Sequence, residues 1–399
     1  MKDIRKVLLI HPEGNIYNNP TLKCVVDLLL FHKIEVTVRY SKKQTIYHYN
    51  LELPFPQIEG IRPLGYGDTY YKIKKFIFFH INSAPLAWLS VYFEHLFVYG
   101  SYDLIIAVDR QGLVEAGYLY KITGTPFVFF SFEIYFESET STSFKSLERR
   151  FAKYVKHWFV QDEIRASHLQ YENHLDSNTC TLIPLASSGP GKLSMTRLRD
   201  RLNIPNEKNV AILMGSIAHW SMVAEIVNSI IKWPDDWVLI LHSRGGDTSA
   251  KLRKLGIDLS LIPVDKIYLS NQSTLEVDKM GEILSGVSVG LAFYKPVPNT
   301  SWYSTSDRNI QYLGLSSGKI STFLRYGIPV ITNEIGLYAR LAEKHGFGLV
   351  SQNPMDIAEL LPFLTNSTFS FNATCFYNKY LDFSNYESLV FENLTKSIL

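Results

Sequence analysis

Short, mostly apolar runs alternate along the chain with longer stretches in which apolar residues recur every three or four positions. In the first half the runs read "KVLLIH", "EVTVRY", "YDLIIAV", "PFVFFSF" and "HWFVQ", separated by "PTLKCVVDLLLFHK", "GLVEAGYLYKITG" and "SFKSLERRFAKYVK". The second half repeats the scheme with "NVAILMG", "WVLILHS", "KIYLS", "VSVGLAFY" and "PVITN", interleaved with "MVAEIVNSIIKW", "MGEILSG" and "KISTFLRYG". A continuous apolar run predicts a strand buried on both faces, and a helix between consecutive strands predicts parallel pairing. The pattern predicts an α/β protein made of two Rossmann-like, doubly wound domains facing each other across a cleft. Residues 187–196, "SSGPGKLSMT", break the pattern and read as the linker. That divides the chain into an N-terminal domain, 1–190, and a C-terminal domain, 191–375.

In such sheets ligands bind beyond the carboxyl ends of the strands, so the strand ends hold the candidate chemistry. Gly14 and Asn15 follow the first strand, in "HPEGN", where a glycine permits a tight turn close to a ligand. Asp109 and Gln111 follow "LIIAV", and Glu133 follows "PFVFFSF". A carboxylate there can cap a helix; two at neighbouring strand ends can also serve acid–base chemistry in a cleft. In the second half, Gly215-Ser216 and Ser243-Arg244 occupy corresponding places. Arg244 suits a phosphate and equally suits a solvated loop. No strand end carries the spaced glycines of a dinucleotide fingerprint.

The stretch "LGLSSGKISTFLRYGIPVIT" contains Gly318-Lys319, the dipeptide that ends a phosphate-binding P-loop. The strict motif fails, because Gly314 is one residue too close and Ile320 stands where a Ser or Thr should follow the lysine. The physics of anion binding survives. Ser316, Ser317 and Gly318 are placed to open a helix whose N-terminal N–H groups, with Lys319, can meet an anion; an ordinary capped helix is the alternative.

Composition narrows the classes. The chain has 399 residues, 46% hydrophobic and 20% charged, with a formal net charge of +2. That suffices for two cores and offers no basic run long enough for nucleic acid. Cys24, Cys180 and Cys375 lie far apart, with neither metal spacing nor a disulfide framework, which fits a reducing cytoplasm. The first apolar run is too short for a signal peptide. No Asp-x-Asp and no His-Glu-x-x-His is present, and neither metal nor serine-hydrolase chemistry is expected. Residues 76–93, "FIFFHINSAPLAWLSVYF", carry no Asp, Glu, Lys or Arg and approach the length of a membrane span. His80, Asn82, Ser83 and Pro85 interrupt it. Two buried helices, or one helix and a loop, are expected first. A surface segment on a membrane, with Lys72, Lys74 and Lys75 towards the headgroups, comes second, and a span last.

The order of elements and "SSGKISTFLRYGIPVITNEIGLYARLAEKHGFGLV" resemble the GT-B glycosyltransferases of the large retaining family (family 4-like) of bacterial exopolysaccharide and lipopolysaccharide assembly. That family carries Lys-x-x-Glu on a helix, then Gly-x-Pro-Val-Ile and a later Gly-x-x-Val; Lys319, Gly327, Pro329, Val330, Ile331 and Gly348 match. "YDLIIAVDRQG", "HWFVQDEIRAS" and "VSVGLAFYKP" also resemble family segments. The family's ribose-binding glutamate falls at Thr322, and the usual Arg and Lys after the second domain's first strand are replaced in "GSIAHWSM". The resemblance implies a nucleoside-diphosphate sugar as donor substrate, with uridine the commonest base, no cofactor, and no metal. It implies retention of anomeric configuration. Gly215, Ser216, Ser243, Arg244, Ser316, Ser317, Gly318, Lys319 and Thr322 would line the donor site, and Gly14, Asn15 and Gln111 the acceptor site. Glu133, Asp109 and Lys319 would carry catalysis. A glycan or lipid-linked acceptor, a C-terminal helix at 376–399 packing back on the N-terminal domain, and a cytoplasmic protein touching the inner membrane face through residues 70–99 complete the expectation. A sugar-nucleotide epimerase on the same fold and a catalytically silent sugar-nucleotide or glycan-binding subunit remain as alternatives.

Overall fold

The computed structural model describes residues 4–11, 16, 19–39, 58–61, 73, 76–77, 84–98, 100–261, 263–273, 280–298 and 307–398. The first sheet comprises β1 (Lys6–Ile10), β2 (Glu35–Arg39), β3 (Ile58–Ile61), β4 (Leu104–Val108), β5 (Phe127–Phe130), β6 (Trp158–Val160) and β7 (Cys180–Leu182). The second comprises β8 (Asn209–Gly215), β9 (Trp237–Ser243), β10 (Ile267–Ser270), β11 (Val289–Ala292), β12 (Val330–Thr332) and β13 (Gly348–Val350). The orders are β3-β2-β1-β4-β5-β6-β7 and β10-β9-β8-β11-β12-β13, with neighbouring strands parallel.

Both faces of each sheet are covered, as the continuous apolar runs require. Val7 and Leu9 of β1 enter one core and Leu8 and Ile10 the other. In β9, Val238 and Ile240 face one way, and Trp237, Leu239 and Leu241 the other. The first helix, Pro20–Phe31, starts where local chemistry says it can. Asn19 accepts a hydrogen bond from Leu22 N at 2.9 Å, and Pro20 takes the first position, where its missing N–H costs nothing. The chain ends on the same domain. Val390 and Leu394 of the helix Glu387–Lys396 join the N-terminal core, and Phe391 stacks on His32 with ring centroids 3.7 Å apart. The stretch 187–196 is pinned rather than loose: Arg325 donates to Ser188 O and Gly189 O at 2.8 and 2.9 Å.

Three strands, β3, β7 and β13, lack a clear signal in the apolar pattern. All are sheet edges of three or four residues, too short to show a period. In the uncharged stretch 76–93, of which 78–83 lie outside the described residues, one helix is present as expected, but its burial departs from the expected core placement. Pro85 falls in the first turn of one helix, Ala84–Val98, where proline is tolerated, so it opens the helix instead of breaking it. Among the described side chains of that helix Ala87, Val91 and Glu94 are buried, while Leu86, Trp88, Leu89, Phe93 and Leu96 are exposed. No helix among the described residues is long and apolar enough to cross a membrane.

Candidate active site

Strand order reverses between β1 and β4 in the first sheet and between β8 and β11 in the second. A crevice opens where neighbouring connections leave in opposite directions, so these are the places for a ligand. Asp109 follows β4 directly. Gly215 ends β8 with φ +94°, a conformation that favours glycine. A Cβ on Gly215 would stand 3.8 Å from Lys319 Cε, which places the β8 loop beside the helix Gly318–Arg325.

Lys319 lies in the first turn of that helix. Ser317 caps it, accepting from Ile320 N at 3.2 Å, and shares a 2.5 Å hydrogen bond with the Tyr294 hydroxyl just beyond β11. The lysine stem is half-buried, but Nζ is shielded from solvent and has no hydrogen-bond partner among the described residues. It lies 5.3 Å from the centre of the Tyr294 ring. Burial pushes its pKa down to about 8. Buried polar groups are almost always paired, and a cation left without an acceptor is costly. An ammonium so placed can take an anion or another acceptor.

The other donor-side candidates are more occupied. Thr322 Oγ1 donates to Gly318 O at 2.6 Å, so the residue in the glutamate's place is tied to its own helix. Ser316 Oγ donates to Leu313 O. Ser243 Oγ donates to Asp247 Oδ1 at 2.7 Å and accepts from Lys251 Nζ at 2.8 Å, inside its own loop. Arg244 and Ser216 are half-buried at the ends of β9 and β8. Residues 314–318 also spell Gly-x-Ser-x-Gly, but they join two helical turns. A nucleophile elbow needs a strand before the turn, so a serine-hydrolase reading has no support.

On the acceptor side, Asp109 adopts φ +53°, rare for a residue with a side chain. Its Oδ1 accepts from Phe132 N at 2.7 Å and Glu133 N at 3.0 Å, which fixes the loop after β5. Glu133 is half-buried, and its Oε2 accepts a short hydrogen bond from Asn309 Nδ2 of the C-terminal domain. Gln111 is buried and donates to Glu115 Oε1 at 3.1 Å, one turn along its own helix. Gly14 and Asn15 lie outside the described residues.

Residues that no pattern singled out join the two halves. Arg165, wholly buried, donates to Gln161 Oε1, Tyr312 O and Phe132 O, each at 2.8 Å. Asp162 Oδ2 accepts from Leu315 N at 2.8 Å, and Glu139 Oε1 accepts from Arg308 N at 3.0 Å. Among the described residues no cluster of His, Cys, Asp and Glu could hold a metal ion.

No family model matches the chain, and no curated protein matches it. Solved structures do. HepE of Anabaena in complex with UDP-glucose superposes with a TM-score of 0.68 at 14% identity, over 98% of this chain and 99% of that one. A glycosyltransferase from Rickettsia africae gives 0.66 at 13%, over 100% and 99%. WaaG, a glycosyltransferase involved in lipopolysaccharide biosynthesis, gives 0.57 at 13%, over 96% and 99%. The fold is GT-B. At such identity the likeness is one of fold, and the chemistry has to be argued from the chain's own residues. In this GT-B chain the shielded lysine stands at the switch point of the C-terminal sheet, and two carboxylates stand at strand ends of the N-terminal sheet.

Proposed function

We propose that the protein is a glycosyltransferase that moves a sugar from a nucleoside-diphosphate sugar to a glycan or lipid-linked acceptor. The observation that carries this reading is Lys319 Nζ: shielded, without a hydrogen-bond partner among the described residues, and set at the N-terminus of a capped helix beside Gly215. A diphosphate supplies the missing charge, and helix N–H groups and an ammonium stabilise it most as the glycosidic bond breaks. UDP is the nucleotide of choice, because HepE, of the same fold, is known in complex with UDP-glucose and with UDP and glucose.

Each half has its part. The acceptor hydroxyl oxygen bonds to the anomeric carbon. The bond from that carbon to the β-phosphate oxygen breaks, and its electron pair leaves with the nucleoside diphosphate. Glu133 orients the hydroxyl and takes its proton. Asp109 holds the Glu133 backbone N–H and acts through it. Ser316, Ser317 and Gly318 line the phosphate end, with Arg244 at the neighbouring strand end. Thr322 offers no carboxylate to the ribose, so more of the donor affinity falls on Lys319. Retention of configuration is supported by the motif resemblance around Lys319.

The acceptor reading extends to a membrane surface. The outward face of Ala84–Val98 presents Leu86, Trp88, Leu89, Phe93 and Leu96, and Phe76 is exposed as well. Lys72, Lys74 and Lys75 precede it in sequence. Lys72, Lys74 and Lys75 lie outside the described residues; an exposed apolar helix face that follows lysines in sequence suits the interface of an anionic bilayer, where a lipid-linked acceptor would be found.

Calorimetric titration with UDP tests the donor site. Micromolar affinity that Lys319→Ala weakens at least tenfold is expected; equal affinity in both proteins refutes the assignment.

A further inference from the structure

We propose that Asn309 positions the Glu133 carboxylate, so that the donor domain sets the acceptor-side group; the inference rests on the role given to Glu133 above. Asn309 is 4% exposed and belongs to the short helix Arg308–Gln311 of the C-terminal domain. Its Oδ1 accepts from Ile134 N at 3.0 Å and from Arg165 Nη2 at 3.2 Å. Both partners can only donate, so the amide oxygen must face them and the amide nitrogen must face Glu133 Oε2, to which it donates. The orientation is therefore set by chemistry.

The two ends of Glu133 have different keepers. Asp109, from the N-terminal domain, holds its backbone N–H. Asn309, from the donor domain, holds its carboxylate. Its neighbour Arg308 donates through N to Glu139 Oε1, and Arg165 donates to Tyr312 O, so the whole stretch 308–312 is tied to the N-terminal domain. A movement that opened the cleft at this stretch would release the carboxylate.

The charges facing Glu133 make a neutral residue at 309 significant. Arg165 is the buried cation there, and Glu133, Asp162 and Asp109 all act on it. Three carboxylates share one guanidinium, with Asn309 as the neutral donor among them. A carboxylate at 309 would add a like charge against Glu133 and favour a shared proton.

The test compares Glu133→Gln, Asn309→Ala, Asn309→Asp and the double variant Glu133→Gln/Asn309→Ala. Turnover is read as UDP release from UDP-glucose, UDP-galactose and UDP-N-acetylglucosamine, with a polyprenyl-diphosphate sugar as acceptor. UDP affinity is expected within twofold of wild type throughout. Asn309→Ala should slow turnover at least tenfold, yet add nothing in the Glu133→Gln background, which a general loss of packing would not spare. Asn309→Asp should move the acid limb of the pH–rate profile upward by about one pH unit. It keeps the acceptor oxygen for Ile134 N and Arg165, so it carries the test if Asn309→Ala does not fold. A slow Glu133→Gln with unchanged rate and pH profile in the folded Asn309 variants overturns the positioning role alone. A normal Glu133→Gln, or a wild type without turnover, overturns the reading beneath it as well.

Discussion

Replacing Lys319 by methionine is expected to stabilise the protein while removing its donor affinity. Methionine keeps most of the stem and deletes the charge. Burial pushes the Lys319 pKa from 10.5 to about 8 in the fold. One pH unit of such a displacement corresponds to about 1.4 kcal/mol, so holding the ammonium charged at pH 7 costs the fold roughly 3 kcal/mol. The sign follows from proton binding. Below pH 8 folded and unfolded chains both carry the proton, and the cost is present in full. Between pH 8 and 10.5 only the unfolded chain binds it, so this group makes stability rise with pH; above 10.5 the cost is gone. The Lys319→Met variant should therefore melt roughly 6 to 12 °C higher than wild type at pH 7, for a unit the size of the C-terminal domain. The advantage should vanish by pH 10.5. A charged hydrogen bond is worth about 1.5–3 kcal/mol, so UDP affinity at pH 7 should fall on the order of ten- to a hundredfold. Wild-type affinity should weaken as pH rises above 8, and the variant's affinity should not follow. Differential scanning fluorimetry and calorimetry on both proteins supply the data. A variant that is less stable at pH 7, or that binds UDP like wild type, refutes the account of a shielded ammonium without a hydrogen-bond acceptor. Stability lost to function is common at binding sites.

Three further outcomes are expected. Glu133→Gln should lower transfer by roughly a hundredfold, the scale of acid–base assistance, with UDP affinity unmoved; normal transfer would show that Glu133 serves only the loop. Activity should persist in EDTA, since Lys319 and the helix N-terminus supply the charge; a loss that magnesium restores would contradict this. The protein should sediment with vesicles of anionic phospholipid at low salt and be released by high salt, and Trp88→Ser/Phe93→Ser should weaken binding severalfold. Equal sedimentation of that variant would place the contact elsewhere.

The sheets were legible because buried parallel strands are written as unbroken apolar runs. "LIIAV" and "WVLILHS" could hardly be anything else, and both lie mid-sheet. "CTL" and "GLV" sit at edges with one neighbour each, too short and mixed to stand out. Lys319 was legible through Gly-Lys at a helix start and through the motif around it; its shielding was not, because Tyr294 and Gly215 are distant in sequence. Asn309 and Arg165 sit in "SDRNIQ" and "QDEIRAS", polar stretches that read as ordinary surface. Their roles exist only because the fold brings residues more than a hundred positions apart into contact. Pro85 shows the converse, a helix breaker by sequence and a helix opener by position.

The central claim meets its most direct test in the transfer of radiolabelled sugar from the three UDP-sugars to a polyprenyl-diphosphate sugar, for wild type and Lys319→Ala side by side. Losing one preorganised charge-stabilising group costs on the order of 3 kcal/mol, or about a hundredfold in rate. The account predicts labelled product from at least one donor with wild type, and about a hundredfold less with the variant. Tight UDP binding by wild type with neither transfer nor hydrolysis of any donor would contradict it and leave a sugar-nucleotide binder in its place.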